Sequence, residues 1–110
     1  MTGELQAIVV EQAERVKPIF QGDCTEIDVP KELLAEVAKA IFFIIKQEGS
    51  AKEEKVWEKF PEEQKLEVKQ SVRFLCENNI YWKYGGSIAF PSQKCLFAYE
   101  RALMHQLPHK

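Results

Sequence analysis

The sequence predicts a mainly α-helical chain carrying one β-hairpin, an α+β class. A three-helix core is followed by the hairpin, and an extra helix sits at each end. Three observations lead there. Apolar residues recur at helical spacing in several stretches separated by Gly49, Pro61 and the pair Asn78-Asn79. The segment "NNIYWKYGGSIAFPS" (78–92) instead holds β-branched and aromatic residues around Gly85-Gly86, a pattern for two short strands and a tight turn. A lone hairpin is barely stable in water, so this one must lean on the helices before it.

The elements follow in order. Between residues 4 and 17, Leu5, Ile8, Val9, Ala13 and Val16 share one helical face, and Pro18 is expected to end or kink that helix. Residues 21–30 have no helical period and read as a loop. Asp28 offers an N-cap oxygen and Pro30 suits the first turn of a helix running to Glu48, with Gly49 as its left-handed terminus. Apolar residues wrap most of its later half, which marks it as the central helix. Ser50 and Glu53 have capping-box spacing ahead of a short helix with Val56, Trp57 and Phe60. Pro61 breaks it and opens the next helix, 61–78, whose Val68, Val72, Leu75 and Cys76 form one buried stripe. Asn79 tolerates positive φ. Strands 80–84 and 87–90 flank the glycine pair, and Ser92 caps a last helix reaching about Leu107.

Length and composition set the bounds. A chain of 110 residues with 45% hydrophobic and 29% charged residues fits one globular domain: an N-terminal helix (1–20), a core (31–91) and a C-terminal helix (92–110). The formal net charge of -2 gives no bulk attraction to nucleic acid or to an anionic membrane. The start lacks a basic leader region and "AIFFII" (40–45) is too short to span a bilayer, so a soluble cytoplasmic protein is expected. Cys24, Cys76 and Cys95 show no CxxC spacing and read as small buried hydrophobes, with a redox or metal role the minor reading. No phosphate loop, nucleophile elbow or H-E-x-x-H is present, so neither an enzyme nor a cofactor is implied. His105 and His109 are four apart with Pro108 between them, poor spacing for a metal pair.

The helix order, the hairpin and the pattern Val68, Val72, Leu75, Asn79, Ile80 together resemble the winged helix-turn-helix superfamily over residues 31–91. Asn79 stands where that pattern has glycine. The layout, with a helix added at each end, is similar to small dimeric bacterial regulators. The resemblance implies a homodimeric transcription regulator that reads double-stranded DNA. The third helix would present Lys65, Lys69, Gln70 and Arg73 to the major groove, and Lys83 near the wing turn would reach the backbone. Lys52, Lys55 and Lys59 line the preceding helix.

Other features oppose that role. Residues 31–91 hold nine Lys and one Arg against ten Glu, a net of zero. Glu62 and Glu63 open the third helix, where they suit its dipole but repel phosphate. Leu66 and Phe74 fall towards its outside. They fit a protein partner, with Trp82 a further contact, so the second class is an interaction module within a larger complex that does not contact DNA. The last helix, with Phe97 and Met104 among its apolar residues, exceeds a single stripe. Either a second copy covers the remainder or the first helix does. Tyr81, Trp82, Tyr84 and Phe90 are read as cross-strand pairs holding the ribbon, with base stacking the alternative.

Overall fold

A computed structural model describes residue 14, residues 16–91 and residues 94–104, without the side chains of residues 94, 95, 97 and 104. Helix α1 is seen over 16–21. It is followed by α2 (Lys31–Glu48), β1 (Ala51–Lys52), α3 (Glu53–Glu58), a 3-10 turn (Glu62–Gln64), α4 (Lys65–Glu77), β2 (Trp82–Tyr84), β3 (Ser87–Ala89) and α5 (Lys94–Met104). The chain is mainly helical with a three-stranded antiparallel sheet of order β1-β3-β2. Among the described residues no helix is long and apolar enough to cross a membrane.

Helix α1 passes Pro18 and stops at Gly22 instead. Gly22 has φ 76, its N–H meets the Ile19 carbonyl at 3.3 Å, and the Asp23 N–H reaches Pro18 at 2.8 Å. That is a Schellman stop, and burial of Ile19 and Phe20 in the core offsets the proline. The start of α2 also departs from expectation. Pro30 occupies the N-cap, its carbonyl accepts from the Leu34 N–H at 3.1 Å, and no side chain caps this end, Asp28 included. At the other end Gly49 takes φ 89 and donates to Ile45 at 2.7 Å. As expected of the central helix, α2 touches α3, α4, β1 and β3. Phe43 is its exception, 55% exposed.

The predicted capping box at Ser50 is replaced by a strand. Ala51 and Lys52 pair with Ile88 and Ser87, so α3 begins only at Glu53, whose N–H donates to the Gly86 carbonyl at 2.9 Å. A third strand gives β3 a partner on each edge and buries Ala51 completely. On the other side β2 pairs with β3 through Trp82↔Ala89, Lys83↔Ile88 and Tyr84↔Ser87. At the turn Gly85 has φ 60 while Gly86 stays outside the left-handed region, the pattern of a turn that needs glycine at its first central position.

Helix α4 buries Val68, Ser71, Val72 and Leu75. Ser71 satisfies its hydroxyl on the Glu67 carbonyl one turn back, at 2.8 Å. The helix stops where Asn79 adopts φ 60. The Asn79 N–H donates to Cys76 at 3.2 Å and the Ile80 N–H to Leu75 at 2.9 Å. This second Schellman stop aims Ile80 and Tyr81 into the core. There Phe20, Phe42, Tyr81, Phe90 and Tyr99 form an aromatic cluster with ring centroids 5.4–6.5 Å apart. The Tyr81 hydroxyl donates to the Ala38 carbonyl at 2.8 Å, and the Tyr99 hydroxyl donates to Ile80. The hairpin's inward residues are therefore Ile80, Tyr81, Ile88 and Phe90. On α5, Ala98, Tyr99 and Ala102 are buried against the same cluster as Val16 and Phe20 of α1.

Candidate functional site

Because Val68, Val72 and Leu75 turn inward, the helical period sends Leu66, Lys69, Gln70 and Arg73 outward, and all four are exposed. Leu66 is 67% exposed. Phe74 differs from expectation: it is half-buried and packs on the core, sharing a shallow groove of about 290 Å³ with Ile27 and Asp28 of the interhelical loop. The loop, which carries no periodic signal, occupies the side of α4 on which Phe74 was read as open. Phe97 and Met104 lie outside the described side chains.

A larger groove, about 780 Å³, runs between α4 and β2 and is floored by α3. It brings Lys69 and Arg73 of α4 together with Lys83 of β2, three of the cations singled out by sequence. Gln70 lies on the opposite flank of α4, and Lys65 sits one turn earlier, 3.6 Å from Glu62.

The cations are not idle. Lys83 reaches Glu53 at 3.1 Å, tying the hairpin to the first turn of α3, and that carboxylate is only 15% exposed. Arg73 meets Glu77 at 3.1 Å along the helix. The Lys69 ammonium lies over the Trp57 ring, 4.6 Å from its centroid. The Arg73–Glu77 pair is exposed on both sides and worth roughly 0–1 kcal/mol, so it holds its cation loosely, whereas the largely buried Glu53 carboxylate holds Lys83 more firmly. Cys76 lies at the back of the groove. Burial pushes its thiol pKa up; the Lys83 ammonium opposes that shift, and Glu53 and Glu77 add to it.

Trp57, Glu53 and Glu77 also line the groove, although the sequence assigns none of them a binding role. Trp57 read as one more apolar helix position, yet its ring lines the groove and its buried indole N–H has no hydrogen-bond partner among the described residues. Nothing in one-dimensional spacing ties it to Lys69. On β2, Trp82 and Tyr84 point outward, 43% and 60% exposed, with ring centroids 6.0 Å apart. Among the described residues no group of three His, Cys, Asp or Glu side chains is arranged to hold a metal ion.

Comparison of the chain with protein-family models, with curated proteins and with solved structures finds no match.

Proposed function

We propose that residues 31–91 form a winged helix-turn-helix unit that binds double-stranded DNA through α4, as a small homodimeric transcription regulator. The element order α2, β1, α3, α4, β2, β3 and the sheet order β1-β3-β2 support the fold assignment. The observation that carries the DNA reading is the outer face of α4. Lys69, Gln70 and Arg73 stand exposed on it, with the hairpin and Lys83 alongside. Lysine and arginine suit phosphates and guanine edges, and glutamine suits adenine.

A second reading rests on a specific observation: Arg73, Lys83 and Lys65 are already matched by carboxylates, and Leu66 is exposed on the same helix as Lys65 and Arg73. A neutral surface with an apolar spot is what a protein partner takes. Fluorescence anisotropy of a random duplex against salt separates the two. Under the DNA reading, Lys69→Ala with Arg73→Ala weakens binding and lowers the slope of log K against log salt by about 2. Unchanged affinity, or no duplex binding at low salt, favours the interaction module. Sedimentation velocity tests the homodimer.

A further inference from the structure

The register of the hairpin gives Trp82 and Tyr84 no aromatic partner across the ladder; they meet only each other along β2. They face Ala89 and Ser87 across the ladder, so they are not the cross-strand aromatic pairs that hold a ribbon together. The core-facing aromatics of this region are Tyr81 and Phe90. Two large rings stay substantially in water on the rim of the α4–β2 groove, next to Lys69, Arg73 and Lys83.

We infer that this groove receives unpaired nucleobases, so that the nucleic acid preferred by the protein is a duplex bearing a single-stranded end or gap. The inference rests on the nucleic-acid reading above and names the substrate form. In an intact duplex the faces of the bases are stacked on one another, and an exposed tryptophan or tyrosine gains nothing from them. An unpaired base offers its face to any aromatic ring, whatever its sequence. The three cations beside those rings match the phosphates that such a strand carries. Glu77, which faces the same groove, gives up the exposed Arg73 to those phosphates, while the Lys83 ammonium, with three donors, meets a phosphate without leaving the largely buried Glu53. A groove of about 780 Å³ is in the size range of a small-ligand site and takes a base with its sugar.

The test compares a blunt duplex, the same duplex with a short 2-aminopurine-labelled overhang, and the overhang strand alone, at one salt concentration. The overhang is expected to tighten binding by roughly tenfold and to quench 2-aminopurine as it stacks. Trp82→Ala and Tyr84→Ala should each bring the ratio of overhang to blunt-duplex affinity most of the way to one. Trp82→Phe, which keeps a ring, should restore the advantage of the overhang, and circular dichroism verifies the fold of each variant. Equal affinity for blunt and overhang duplexes, with no quenching, overturns this inference and leaves duplex binding standing. Binding of the single strand alone with quenching supports base stacking in the groove but overturns the duplex reading and, with it, the preference for a duplex bearing an overhang. Failure to bind any of the three overturns both and leaves a polypeptide as the occupant of the groove.

Discussion

Replacing Asn79 tests the junction on which the site depends. Asn79 is the only non-glycine residue of the described chain with positive φ, at 60. There it closes α4 and sends Ile80, 3% exposed, and Tyr81, fully buried, into the core. For an ordinary L-residue this conformation costs about 1–2 kcal/mol, asparagine carries less of it, and glycine carries none. Since the Asn79 side chain is exposed, substitution removes no core packing. The stability order should be Asn79→Gly above wild type by about 0.5 kcal/mol, Asn79→Ala below it by about 1, and the β-branched Asn79→Val lower still by about another 1. The gain from glycine is held down by the extra freedom it gives the unfolded chain. For a chain of this length each kcal/mol moves the melting temperature by roughly 4 °C. Urea unfolding followed by circular dichroism reads the same order in the midpoints, with unchanged slopes. An Ala or Val variant as stable as the Gly variant would refute the left-handed assignment, and with it the placement of the hairpin against α4.

Two further outcomes follow from the geometry. Tyr81→Phe removes the hydroxyl that donates to the Ala38 carbonyl while keeping the ring in the aromatic cluster, so it should cost about 1 kcal/mol in urea unfolding. Glu53→Gln takes the carboxylate from Lys83, and under the DNA reading it should strengthen duplex binding at low salt and steepen the salt slope by up to about 1. An unchanged slope would remove Lys83 from the contact surface.

What was legible in the sequence is what local physics decides. Gly49, Asn79 and Gly85 sit where the backbone needs positive φ, and that steric demand leaves a mark on residue choice. The inward stripe of α4 is equally local, since a 3.6-residue period fixes which side chains share a face. Strand β1 was not legible: two residues carry no period, and Ala51 and Lys52 are extended only because β3 has a free edge for them. Their pairing also overrode the capping box at Ser50. At Pro18 a local rule lost to tertiary packing, because ending α1 there would leave Ile19 and Phe20 outside the helix that delivers them to the core. The outward cations of α4 were predictable, but their partners were not. The contacts of Lys83 with Glu53 and of Lys69 with Trp57 join residues far apart in sequence.

The two halves of the molecule are held by forces of different strength, and this bears on function. Beneath the hairpin, Tyr81 and Tyr99 anchor their hydroxyls on buried carbonyls of α2 and of the α4–hairpin junction. Opening either would leave a polar group unsatisfied in the core, a cost of about 1–3 kcal/mol, so the position of β2 relative to α4 is firm. On the groove side the Arg73–Glu77 pair is exposed, worth roughly 0–1 kcal/mol and weakened further by salt. Arg73 illustrates the contrast: its side chain is 80% exposed and leans on Glu77. A phosphate in place of that carboxylate makes the same charge-assisted contact and also releases a condensed counterion. Under the DNA reading, Glu77 is therefore a resting partner for Arg73. Under that reading, a firmly placed backbone with an exchangeable Arg73 and two wet aromatic rings is pre-organised where binding would cost most and adaptable where the ligand would be met.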